Sequence, residues 1–397
     1  MSNLWSTNHP SQFWQTKYRI EDALWQEAIR RAAEKDPLFQ NSPSIDTILF
    51  QSLGEGRFGS KHWDLPLFYR LYWKVKPLFS MRTIRKVRSL VHKTERKLAK
   101  DNWPIDDRYV KFQWEVMRQL IMLYGGSSIP FADFWPNNHT MALVLTHDVE
   151  SVDGQKHILA VADLEEKYGF CSSFNIIGSQ LPENPEMFLE LKDRGFEIGI
   201  HGWHHTSGMY SSRKNFNFHA IHVNRFLQKA GAVGIRSPLN LRNPEWMQAL
   251  NIEYDLSFFD TDPFEPISGG AMSIWPFFIG HFVELPATLV QDNTLVNLLG
   301  ETSPQLWMDK IAFLEKYHGM ALVNCHPDYL SNKTLWNVYE RFLAAMQEKQ
   351  QYWNALPRDV ARWWKIRSDC DQLEKLSLRF RVASLLDEHL MLCDYSS

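Results

Sequence analysis

The sequence predicts an α/β protein built around a parallel barrel, and three observations carry that expectation. Short apolar, β-branched runs alternate with helical-period segments from Thr140 onward. About seven such runs occur, separated by crossovers long enough for helices, which is the rhythm of parallel strands rather than of a sandwich or bundle. Several of the runs end abruptly in His and carboxylate residues, as buried parallel strands do when they deliver chemistry to their C-terminal ends.

Taken in order, the expected strands cover 142–146, 171–177, 197–200, 232–236, 254–258, 282–285 and 321–324, with helices at 154–168, 185–194 and 217–230 between them. Before residue 139 strand–helix alternation is missing, and helical-period patches at 21–33 and 109–124 predict a mostly helical N-terminal region. The division expected is therefore 1–138 helical, 139–331 barrel, and 332–397 a helical segment packing on the barrel, with the aromatics of YWNALPRDVARWWKIR covering its open side.

At 397 residues, 44% of them apolar and 16 of them Trp, the chain has material for a barrel-sized core and an appended region. Its formal charge of −3 gives no reason to expect a nucleic-acid partner. Four Cys, at 171, 325, 370 and 393, are too few and too scattered for a disulfide framework, which points to a reducing compartment. The N-terminal MSNLWSTNHPSQFWQTK lacks a cationic stretch followed by an apolar one, and no stretch of eighteen uninterrupted apolar residues follows, so a cytoplasmic location is expected. From Tyr69 to Lys100 the chain carries eleven Lys or Arg against one acid, with Ile84, Val87, Val91 and Leu98 near helical spacing. Such a helix can lie on an anionic membrane, although a solvated helix packed on its neighbours is the commoner outcome.

The candidate site is assembled from the strand ends. His201 and His205, in HGWHH, have the i, i+4 spacing that lets two imidazoles grip one cation if the chain turns helically there, with His204 as a competing partner. Alone this spacing is weak, because 15 His make chance matches common. THDVE adds Asp148 and Glu150, two residues apart, which along an extended chain point the same way. One can complete a site of two histidines and one carboxylate while the other takes a proton from water. His326, ending ALVNC, suits a proton donor, and Arg236, in GIRSP, suits an ion-pair partner that holds a carboxylate ionised.

The order and character of these motifs resemble the polysaccharide deacetylase family, the NodB-homology group or carbohydrate esterase family four, over about residues 140–330. The resemblance implies a distorted (β/α)7 barrel and hydrolysis of an N-acetyl amide on a sugar. By position it makes Asp148 the base, Glu150, His201 and His205 the metal ligands, Arg236 the partner of the base and His326 the general acid. The backbone N–H after Pro238 becomes an oxyanion donor, and YDLSFFDTDPFEP offers Asp260 or Asp262 to orient the catalytic His. The implied cofactor is a divalent metal, zinc by default, with cobalt, nickel, manganese or iron compatible with a mixed N/O site. Two departures stand out: Glu150 occupies a position more often Asp, and Leu239 replaces an aromatic. The implied substrate is an N-acetylated carbohydrate, in the cytoplasm an intermediate of surface polysaccharide synthesis. The alternatives are an amidohydrolase acting on a small non-sugar C–N substrate and a catalytically inactive glycan-binding barrel.

Overall fold

The computed structural model describes residues 4–64, 102–126, 128–180, 186–369, 379–386 and 389–394; the basic segment from Tyr69 to Lys100 lies outside them. Its strands are β1 (Ser128–Ala132), β2 (Met141–Val149), β3 (Ser173–Ile176), β4 (Glu197–Ile200), β5 (Gly234–Ile235), β6 (Tyr254–Asp255), β7 (Phe277–Ile279), β8 (Phe282–Glu284), β9 (Met320–Cys325), β10 (Tyr352–Asn354), β11 (Phe380–Leu386) and β12 (His389–Asp394). Seven of them, β2, β3, β4, β5, β6, β8 and β9, run parallel in one curled sheet, with β9 on the far side of β2 from β3. β2 and β9 are buried along their whole length, as strands covered on both faces must be.

The sheet curls into a distorted barrel whose last join is irregular. Past β8, the Leu289 N–H donates to Leu322 O at 3.0 Å. Thr288 substitutes for the rest of the ladder: its hydroxyl donates to Met320 O at 2.7 Å and accepts the Leu322 N–H at 2.9 Å. Around the sheet stand helices Ile158–Lys167, Glu186–Asp193, Arg213–Ala230, Gln305–Lys316 and Lys333–Glu348. The expected 154–168 helix is two pieces, Val152–Gln155 and Ile158–Lys167, with Ser151 capping the first through the Gly154 N–H.

The N-terminal region holds helices Asp22–Ala33, Ile45–Ser52 and Arg108–Tyr124. It is fastened to the barrel by polar anchors. Asn8 mimics a neighbouring strand at the edge of β7, donating to Phe278 O at 2.8 Å and accepting its N–H at 2.7 Å. Glu55 and Arg242, both fully buried, form a two-point ion pair. Among the described residues no helix is long and apolar enough to cross a membrane.

The segment 332–397 departs from its expected all-helical character. Besides helices Lys333–Glu348 and Pro357–Arg367 it supplies β10, which pairs parallel with the start of β2, and the β11–β12 hairpin, which joins β1 in a separate three-stranded sheet. The apolar residues of β11 do not mark its buried face: Arg381 and Ala383 are buried while Phe380 and Val382 are only half-buried. Arg381 is drawn inward by an ion pair to Asp133 at 2.7 Å.

Candidate active site

Strand alternation sorts the first motif. Along β2, Thr146 and Asp148 face the barrel interior, while His147 between them faces the helices and meets Glu165 of Ile158–Lys167. Inside, Asp148 is gripped from three sides: Arg236 Nη1 and Asn175 Nδ2 donate to its Oδ1 at 3.2 and 3.0 Å, and Asn324 Nδ2 to its Oδ2 at 2.8 Å. The same Arg236 Nη1 reaches Thr146 Oγ1 at 2.9 Å, and its Nε reaches Leu256 O at 2.9 Å. Burial alone would raise the Asp148 pKa; Arg236, His201 and His326 outweigh it and hold the carboxyl below its ordinary range.

Glu150, just past the end of β2, turns toward the histidines that follow β4. Its Oε1 lies 3.1 Å from His205 Nε2 and 3.8 Å from His326 Nε2. Burial would raise its pKa, but His205, His326 and His201 bring it down to about 2. Gly202, at φ +65°, makes the sharp exit from β4, and its Cα hydrogens face Pro238 where a Cβ would collide at 2.5 Å. His201 is buried, and burial lowers its pKa to about 4, so the ring is neutral. Its Nδ1–H donates to Arg236 O at 3.0 Å, which fixes the tautomer and leaves the Nε2 lone pair free. That buried Nε2 has no hydrogen-bond partner among the described residues.

A ligand atom from each of Glu150, His201 and His205 lies within 4.8 Å of the other two. Two imidazoles and an ionised carboxylate, one of the imidazoles neutral, held by a backbone carbonyl and offering an unsatisfied nitrogen, fit a divalent cation of the zinc type. His204, the competing ring in the sequence, points elsewhere, to Ser179 Oγ at 2.8 Å.

His326 follows β9 and is buried. Its Nδ1 meets Asp292 Oδ1 at 2.7 Å and its backbone N–H donates to Asp292 Oδ2 at 2.9 Å. Burial opposes a charged ring, yet Asp292 outweighs it and pushes the pKa up to about 10. The carboxylate that orients His326 is therefore Asp292, and Asp260 and Asp262 are corrected to other places. Asp260 forms a buried ion pair with Lys310 at 2.7 Å, and Asp262 accepts the N–H of Phe264 in its own loop at 2.7 Å. Asp292 lies in the stretch LPATLVQDN after β8, and its one sequence signal is an acid in a loop that follows a barrel strand.

The turn after Arg236 is also shaped for contact. Leu239 and Asn240 both take left-handed backbone conformations, at φ 59° and 48°. The turn's own hydrogen bonds use the N–H groups of Asn240 and Leu241, not that of Leu239.

Known proteins resemble this barrel in sequence over part of its length and in fold. Residues 137–245 match the family model described as Polysaccharide deacetylase. Similar solved structures include a "probable Polysaccharide deacetylase" of Pseudomonas aeruginosa PAO1, with a TM-score of 0.50 and 16% identity over 59% of this chain and 93% of that one. They also include Puue allantoinase, with a TM-score of 0.48 and 14% identity over 59% and 93%. A third is peptidoglycan deacetylase PdaC of Bacillus subtilis, with a TM-score of 0.39 and 15% identity over 61% and 98%. No curated protein matches this chain. Residues 137–245 thus match the family that the motifs resemble, and the likeness to the Pseudomonas structure shows that the barrel has its fold. That family comprises hydrolases acting on the C–N bond of N-acetyl amides.

Proposed function

We propose that this chain is a metal-dependent deacetylase that hydrolyses the N-acetyl amide of a sugar, an intermediate of surface polysaccharide synthesis handled in the cytoplasm. One observation carries the reading: a three-residue ligand set, an ionised acceptor and a protonated donor meet in one cleft at the ends of β2, β4 and β9. Amide hydrolysis needs an activated carbonyl, a deprotonated water and a protonated leaving amine, and each need has its residue.

Glu150, His201 and His205 would hold the cation, which when bound supplies Lewis acidity to the acyl carbonyl and to water. Asp148 is kept ionised by Arg236, and its Oδ2, engaged among the described residues by Asn324 alone, is the oxygen open to a proton from the attacking water. The Leu239 N–H is the backbone donor for the oxyanion that develops on the acyl oxygen. His326, charged and held by two contacts to Asp292, gives its Nε2 proton to the departing amine.

The cytoplasmic placement draws support from the free thiols of Cys171, Cys325 and Cys393. The run from Tyr69 to Lys100 supports, by charge alone, contact with an anionic membrane or a diphosphate-linked sugar. The test is acetate release from free, nucleotide-linked and lipid-linked N-acetyl sugars by the zinc-loaded full chain, beside Asp148→Asn. Release by the wild type that vanishes in the variant supports the reading; release that survives in the variant, or none from any sugar, sinks it.

A further inference from the structure

The one-turn helix Pro327–Leu330 follows β9, the strand paired with β2, and takes hold of Glu150 beside it. Asp328 Oδ2 accepts the Glu150 backbone N–H at 3.0 Å, and Asp328 Oδ1 accepts the Ser151 hydroxyl. The next residue, Tyr329, donates its hydroxyl to Glu150 Oε2 at 3.1 Å. The opposite oxygen, Oε1, is the one that faces His205 Nε2 at 3.1 Å. Gly154 makes the seat: a Cβ there would stand 2.2 Å from Asp328 Oδ2, so any other residue would push the carboxylate away from the 150–151 backbone. A solvated acid at the end of a strand needs none of these restraints.

We propose that Asp328 and Tyr329 are positioning residues that present Glu150 to a divalent cation through one oxygen, Asp328 by fixing its backbone and Tyr329 by occupying Oε2. The inference rests on the metal reading of the site. It also explains how a glutamate serves here. Its extra methylene adds a torsion whose freedom must be lost on binding, and these contacts remove that freedom beforehand. The restraint and the proton donor share one stretch, His326 to Tyr329, so the segment that brings the acid also sets the ligand.

The measurement is zinc affinity by calorimetry and the visible absorption of bound cobalt(II), on the metal-free full-length wild type, Tyr329→Phe and Asp328→Asn. Tyr329→Phe is expected to lose about 10- to 100-fold in zinc affinity, the usual scale for an outer-shell partner. Its cobalt band is expected to weaken as the freed second oxygen raises the coordination number, while the unfolding temperature of the metal-free protein stays at the wild-type value. Asp328→Asn is expected to weaken zinc in the same direction, and it carries the test by the same criterion if Tyr329→Phe does not fold. Equal zinc affinity and an unchanged cobalt spectrum in the variants overturn the proposal while leaving the metal reading intact. A wild type that takes up neither ion overturns both.

Discussion

Two histidine–carboxylate pairs share the same 2.7 Å contact, His147 of β2 with Glu165 and His326, just past the neighbouring β9, with Asp292. The first is sealed among helices. Ser172 donates to Glu165 Oε2 at 2.6 Å, the Tyr339 hydroxyl donates to Oε1, and Phe174 stacks on the His147 ring at 4.9 Å. The second opens inward, with His326 Nε2 looking across 3.8 Å to Glu150 Oε1. The contact distance is therefore no mark of catalysis; what differs is whether the second ring nitrogen faces a place where a proton is needed. His147 and Asp148 are neighbours in sequence, and strand alternation alone sends one to the core and the other to the cleft.

If that contrast is right, the two pairs fail in different ways when broken. The largest effect is expected from His326→Gln, which removes the proton donor: kcat for acetate release by the folded enzyme falls by about 10²- to 10⁴-fold, and the unfolding midpoint also falls because Asp292 is left buried without its charged partner. A variant that keeps its rate would erase the distinction. Glu165→Ala should lose stability without losing rate. Removing one partner of a buried pair costs about 3–5 kcal/mol of stability, read by denaturant unfolding, while KM of the folded fraction stays put.

Asp292→Asn sharpens the comparison through pH. Only protonated His326 can give up a proton, and Asp292 keeps that form up to about pH 10, so the wild-type rate is lost only as pH rises past that point. Without the Asp292 charge the alkaline limb of the rate profile should move to lower pH. The loss is then greater in alkaline than in mildly acidic buffer, whereas an equal loss at every pH would mean that Asp292 acts by geometry alone. The smallest effect belongs to Tyr339→Phe, which strips one of the hydrogen bonds on Glu165 and should cost about 1 kcal/mol, with no change in kcat.

Legibility in the sequence followed the same divide between strand ends and loops. Glu197–Ile200 has the bounds expected of it, because EIGI is an apolar run set between Gly195 and His201. Period two likewise predicted that Asp148 and Glu150 would turn toward one cleft. The residues that do not announce themselves are those whose role depends on a fold-back. Asp292 sits in a loop after β8 with no period or spacing to single it out, whereas the acid-rich, aromatic stretch holding Asp260 and Asp262 looked more like a site and instead binds Lys310 and its own backbone. β10, β11 and β12 were hidden for a related reason: β10 is three residues long, and in β11 the buried face carries an arginine.

The most direct test of the central claim is the metal content of the purified full-length chain, wild type beside His201→Ala. About one divalent ion per wild-type chain is expected, lost in the variant because the free Nε2 of His201 is gone. A wild type that holds no metal and takes up no added zinc, cobalt or nickel would contradict it.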